Sequence, residues 1–206
     1  MTMTSQPETL TLANPEPSAS RTDKGVGCGH LVLPPVLDAC CSIRAFWFDK
    51  NDPRAVFVDN RKECIVRRDV SMKSGERTLD VNPDIVADFS SLPFPDDSFA
   101  LVVFDPPHKQ RNEANGGFLV QHYGMLKGEW RTMLAGGFAE CFRVLRPDGV
   151  LIFKWAETEF PVSEILALTP EKPLFGHKSG KNSGTHWIAF LKPNTPVRDA
   201  AQPRSL

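Results

Sequence analysis

Four short apolar runs in this chain each end in an aspartate: Val36-Leu37-Asp38, Ala55-Val56-Phe57-Val58-Asp59, Asp84-Ile85-Val86-Ala87-Asp88 and Leu101-Val102-Val103-Phe104-Asp105. Runs this short, rich in Val and Phe and bounded by turn residues, read as buried strands of a mainly parallel sheet. One acid after a strand is commonplace as a turn or helix-capping residue. Four in succession put four carboxylates on one rim of a sheet, and ligands of open α/β sheets bind outside the carboxyl ends of the strands.

The segments between them complete an alternating pattern. Strands are expected at Pro35–Ala39, Ala55–Asp59, Asp84–Ala87 and Leu101–Asp105, with a short helix at Ser42–Asp49 that feeds Phe46 and Trp47 into the core. Cys64–Arg67 and Arg77–Val81 flank Lys73-Ser74-Gly75 as an inserted hairpin. Gly128–Leu145 carries Met133, Leu134, Phe138, Cys141, Phe142 and Leu145 at helical spacing and is stopped by Arg146-Pro147-Asp148-Gly149. A strand at Val150–Trp155, a short helix at Val162–Leu168, a candidate strand at Pro173–Phe175 and a closing strand at Thr185–Lys192 follow. The expected architecture is an α/β layer sandwich with helices on both faces of a mainly parallel sheet.

With 206 residues, 41% of them hydrophobic, the chain has core enough for one domain, expected at 31–193 between flexible tails at 1–30 and 194–206. Met1–Asp23 is rich in Thr, Ser, Pro and Glu and lacks the basic start and apolar stretch of a signal peptide, and no run reaches membrane-spanning length. No membrane partner is expected. A formal net charge of -1 carries no global nucleic-acid signature, so such a partner has to be argued from local patches. The five cysteines, Cys28, Cys40, Cys41, Cys64 and Cys141, are odd in number and read as free thiols in a reducing cytoplasm. Cys28, His30, Cys40 and Cys41 lack the spacing of a zinc site, and no metal is expected.

Chemistry concentrates at Asp105-Pro106-Pro107-His108. A strand that stops in this way presents the Asp105 carboxylate and the Pro106 carbonyl as two fixed acceptors, because proline rings hold the backbone. An exocyclic amine is a poor nucleophile while its lone pair is delocalised, and two acceptors on its hydrogens favour the pyramidal, more nucleophilic form. His108 would offer a flat face to a planar substrate. The bland alternative is a strand closed by a Pro-Pro turn. Lys154 and Trp155, at the end of the next strand, are candidate contacts for a target base. Lys109–Gly124 follows the turn directly and has the composition of a mobile loop, either a lid bringing Phe118, His122 or Tyr123 over the site or a solvated surface loop. Arg61, Lys62, Arg67, Arg68, Lys73 and Arg77, with Lys172, Lys178 and Lys181, either hold phosphates or form a solvated charged surface.

From about Leu33 to Lys192 the chain resembles class I S-adenosylmethionine-dependent methyltransferases, in particular small enzymes carried by bacteriophages and prophages. The resemblance rests on Val36–Ser42 with Arg44 and Phe46–Asp49, on Asp84–Phe89 with Leu92-Pro93-Phe94, and on Phe99–His108, Val144–Val150, Phe153-Lys154-Trp155 and Thr185-His186-Trp187. Asp-Pro-Pro-His is similar to the Asp-Pro-Pro-Tyr signature of nucleic-acid amino-methyltransferases. The resemblance implies a Rossmann-like three-layer sandwich whose seven-stranded sheet has an antiparallel closing strand, and S-adenosyl-L-methionine as cofactor. It also implies that Asp38, Cys40, Cys41, Ser42 and Arg44 pack against the methionine part, that Asp59 with Asn60 takes the ribose hydroxyls, and that Asp88 and Phe89 hold the adenine. Asp105, Pro106, Pro107 and His108 become the catalytic turn. Two departures stand out: Cys41-Ser42-Ile43 holds no glycine where Ser42 is expected to be one, and His108 replaces the usual aromatic. Three readings follow: methylation of N6 of adenine or N4 of cytosine, in DNA rather than RNA; methylation of a small molecule or protein amide; or non-catalytic binding of the cofactor or of a partner. A phage-encoded enzyme would act in the cytoplasm of its bacterial host.

Overall fold

The computed structural model describes residues 33–110, 124–126, 128–179 and 184–194. The expected tails at 1–30 and beyond Asn194, and most of the expected lid, lie outside the described residues. The strands are β1 (Val36–Asp38), β2 (Ala55–Asp59), β3 (Glu63–Arg68), β4 (Glu76–Val81), β5 (Ile85–Val86), β6 (Phe99–Phe104), β7 (Leu145–Ala156), β8 (Phe175–Ser179) and β9 (Thr185–Leu191). Among the described residues two helices, α1 (Trp130–Val144) and α2 (Val162–Leu166), stand on either side of β7 in the chain.

Seven strands form one sheet in the order β5-β2-β1-β6-β7-β9-β8, while β3 and β4 pair only with each other, as the inserted hairpin. β5, β2, β1, β6 and β7 run parallel; β9 lies antiparallel to β7, and β8 antiparallel to β9. This is the mainly parallel seven-stranded sheet expected, with its antiparallel strand inserted between β7 and β8. Chain order reverses direction between β1 and β6, which makes their carboxyl ends the topological switch point where open sheets bind ligands.

Residue spacing explains how α1 packs. Trp130, Leu134, Phe138, Cys141 and Phe142 fall on one stripe and are buried, and Phe138 stands 4.9 Å from Phe153 and 5.4 Å from Phe104, ring to ring. Gly137 allows this approach: a Cβ there would come within 2.7 Å of both Phe104 and Phe89. At the far end of α1, Lys192 donates to the Leu145 carbonyl at 2.5 Å, placing a cation where the helix dipole is negative. Arg143 donates to the carbonyls of Phe94 and Leu92 and pairs with Glu140 and Asp96, tying the turn before β6 to the helix.

Two local readings need correction. Ser42–Asp49 is a series of turns and not a helix, because Ser42 and Arg44 take left-handed φ values of 48° and 55°. The Ser42 N–H donates to Asp59 Oδ2 at 2.9 Å, a cross-strand bond a helix start would not make. β7 begins at Leu145, before the expected turn, because Leu145 pairs with Phe99 and Arg146–Gly149 form an irregularity within the ladder. On the sheet face opposite α1, these turns serve as the cover over β1 and β2, with Trp47 against Phe57 at 4.8 Å.

Candidate active site

At the switch point the ends of β1, β2 and β6 surround a cavity of about 380 Å³ lined by Ala39, Cys40, Ser42, Asp59, Asn60, Arg61, Asp88, Phe89, Asp105, Pro107, Gly124, Met125 and Met133. Eight of the site residues expected from sequence thus come together: Cys40, Ser42, Asp59, Asn60, Asp88, Phe89, Asp105 and Pro107. Ser42 reaches it through the strained turn that was expected to carry glycine.

Each acid in this region has its own environment. Asp59 accepts from Ser42 N–H on Oδ2 and from the Arg61 N–H and Nε on Oδ1 at 3.0 and 3.1 Å. A carboxylate offers about four acceptor sites, so one remains after these three bonds. Asp88 Oδ1 accepts from the N–H and hydroxyl of Ser90. Asp105 is buried, and Lys154 Nζ from β7 donates to its Oδ2 at 2.5 Å. Burial pushes the Asp105 carboxyl up while Lys154 pulls it down, with the net direction upward.

Several other expected site residues sit apart from the cavity wall. Asp38 is fully buried behind it, bound by Trp47 Nε1 at 2.7 Å and Cys40 N–H, and burial together with Asp105 and Asp59 raises it to about 7. Cys41 is buried under the turn. Arg44 lies over the Phe57 ring at 3.8 Å and reaches Asp84 and the Asn82 carbonyl, so it staples β2 to the segment before β5 and does not touch the cavity. Pro106 is buried, and His108 is 8% exposed with its ring edge-on to Trp155, so the imidazole presents no open face. Burial, with Lys154 and Lys109 nearby, lowers His108 to about 4, which makes it a neutral ring at physiological pH. Trp155 is fully buried with Nε1 donating to the Phe160 carbonyl, and cannot meet a substrate. The alternation along β7 decides this: Lys154 points to one face and Trp155 to the core. Phe118 and Tyr123 lie outside the described residues.

No family model matches this chain, and no curated protein matches it. Among solved structures, a Pyrococcus horikoshii protein aligns over 76% of this chain and 81% of its own, at 17% identity and a TM-score of 0.49. A Methanosarcina mazei protein described as an S-adenosylmethionine-dependent methyltransferase aligns over 77% and 92%, at 13% identity and 0.43. A candidate DNA modification methylase from Thermus thermophilus, complexed with S-adenosyl-L-methionine, aligns over 56% and 57%, at 20% identity and 0.36. At such values the chain's own residues have to carry the function.

Those residues include some that motif reading leaves out. Met125 and Met133 line the cavity, and Phe46 and Trp187 flank Lys154 Nζ at 5.6 and 5.7 Å from their ring centroids. Arg61 is partnered by Asp59 and Glu63, and Arg77 by Asp69, so two of the hairpin's basic side chains serve the fold while Lys62, Arg68 and Lys73 are exposed. Among the described residues no helix is long and apolar enough to cross a membrane.

Proposed function

We propose that this protein is an S-adenosyl-L-methionine-dependent methyltransferase acting on an exocyclic amino nitrogen of a nucleic-acid base, N6 of adenine or N4 of cytosine in DNA. The observation that supports this most is the placement of Asp105: it directly follows β6 at the switch point and is one of the residues that line the cavity. The donor set suits the cofactor. Asp59, Asp88 and Asp105 face a space of about 380 Å³, within the range of small-ligand sites, and three carboxylates favour a ligand that carries a sulfonium and an ammonium.

When bound, the cofactor supplies an electrophilic methyl group on that sulfonium. Asp59 would keep its remaining acceptor site for a ribose hydroxyl, and Asp88 with Phe89 would hold the adenine edge and face. Asp105 and the Pro106 carbonyl would accept the two N–H groups of the target amine, drawing its lone pair out of conjugation. That lone pair would take up the methyl group the cofactor supplies, and the nitrogen would shed one proton. Asp105 is placed to stabilise that N–H and pass the proton to solvent.

Transfer of labelled methyl from S-adenosyl-L-methionine to unmethylated DNA, RNA and a protein extract, followed by nucleoside analysis, tests the reading. N6-methyladenine or N4-methylcytosine in DNA is the expected product. Label confined to protein or small molecules would overturn the nucleic-acid part, and no label at all would overturn the methyltransferase.

A further inference from the structure

The sheet face opposite α1 carries a second feature beside Asp105. Lys154, Trp187 and His177 are in register across β7, β9 and β8, so their side chains share one row on one face. Phe46, from the turns after β1, stands edge-on to Trp187 at 5.6 Å. Lys154 Nζ lies 5.6 Å from the Phe46 ring, 5.7 Å from the Trp187 ring and 2.5 Å from Asp105 Oδ2. A nitrogen held between two rings therefore already reaches the proposed catalytic carboxylate from this side, while Met133 of α1 belongs to the cavity on the other.

We propose that Trp187 is a stacking platform for a base of single-stranded nucleic acid, with Phe46 as its wall and His177 as the neighbouring backbone contact. This rests on the reading of Asp105 as the amine acceptor. Trp187 is half-buried and His177 exposed, so a flat ligand can reach both. No side chain that β7, β8 or β9 contributes to this face, from Val150, Phe175 and Thr185 onward, is acidic; Lys154 and His177 are its ionisable groups. A groove of about 350 Å³ beside Phe46 is lined by Asp49 and by Asp52 with its partner Arg54, a net negative set that does not favour phosphates. The strand would accordingly run outward along β8. Base-on-aromatic stacking tolerates any base and is worth ~1–3 kcal/mol per base, which makes Trp187 an affinity element and leaves discrimination to Asp105.

Binding of a fluorescein-labelled single-stranded oligonucleotide of mixed adenine and cytosine, read by anisotropy at low salt, tests the proposal without turnover. Trp187→Leu keeps the apolar bulk and is expected to weaken binding at least ~10-fold, with Trp187→Tyr recovering most of it. His177→Ala is expected to lose less than Trp187→Leu. S-adenosyl-L-homocysteine binding by calorimetry is expected to be unchanged in all three, which also reports an intact fold. Equal oligonucleotide binding by Trp187→Leu and wild type, or none by wild type, would overturn the platform. Trp187-dependent binding in a protein that does not bind S-adenosyl-L-homocysteine would support the platform and overturn the methyltransferase reading instead.

Discussion

Lys154 Nζ and Asp105 Oδ2 form an ion pair at 2.5 Å in which the carboxylate side chain is only 4% exposed. Two neighbouring strands, β6 and β7, thus bring opposite charges together at the carboxyl-end rim of the sheet. Burial alone favours the neutral acid, which can donate one hydrogen bond but offers an amine fewer acceptor sites. Lys154 opposes that in part.

Replacing Lys154 by Met removes the counter-charge and leaves Asp105 among Asp38 and Asp59. Breaking a buried pair from one side costs about 3–5 kcal/mol. The folded-state pKa of Asp105, already raised, rises further, so the lost stability is smallest at acid pH and grows as pH rises. Denaturant titrations of both proteins at several pH values check this, and in turnover the acid limb of the pH profile is expected to move to higher pH. Lys154→Arg is expected to restore it.

Ser42 occupies a left-handed conformation at φ 48° that costs a side-chain-bearing residue roughly 1–2 kcal/mol, against a smaller entropic cost for glycine. Ser42→Gly is expected to stabilise the protein by about 1 kcal/mol while keeping the backbone bond to Asp59. A rise in urea midpoint at unchanged slope is the expected signature.

Burial pushes the Asp38 carboxyl up to about 7 in the folded state, against 3.8 for an exposed aspartate. The native state therefore holds a proton that the unfolded chain has released, and stability falls as pH rises from about 4 to 7. The contribution is fully present below the lower value and is lost through the upper one. Thermal melts across this window are expected to show the slope in wild type and a shallower one in Asp38→Asn.

Gly137 sits where a methyl group would strike Phe104 and Phe89. Gly137→Ala is expected to cost about 1–3 kcal/mol through overpacking. Because Phe89 lines the cavity, it is also expected to weaken binding of S-adenosyl-L-homocysteine, which Phe142→Leu, remote from that wall, is not. Calorimetric titration of the two variants separates the effects.

The strand-terminal acids are legible in the sequence because a buried parallel strand is a continuous apolar run and its end is marked by the first charge. Asp59, Asp88 and Asp105 accordingly fall where the reading puts them, as does the stripe of α1. What local pattern does not reveal is direction and neighbourhood. Lys154 and Trp155 are adjacent in sequence, yet the pleat sends one to the rim and the other into the core. His108 ends the Asp105–His108 turn but is buried edge-on to Trp155, and Arg44 is drawn away to Asp84. Trp187 and Phe46 come from segments 141 positions apart and meet only through the sheet. The absent glycine at Ser42 marks a special backbone position, but the φ value that explains it depends on the Asp59 carboxylate from the next strand.

The most direct measurement compares wild type and Asp105→Asn for methyl incorporation into unmethylated DNA at saturating S-adenosyl-L-methionine, with S-adenosyl-L-homocysteine affinity determined for both. Methylated adenine or cytosine from wild type, a fall of at least ~100-fold in Asp105→Asn and a far smaller change in affinity for the product cofactor are the predicted results. Equal incorporation by the two proteins would contradict the role assigned to Asp105.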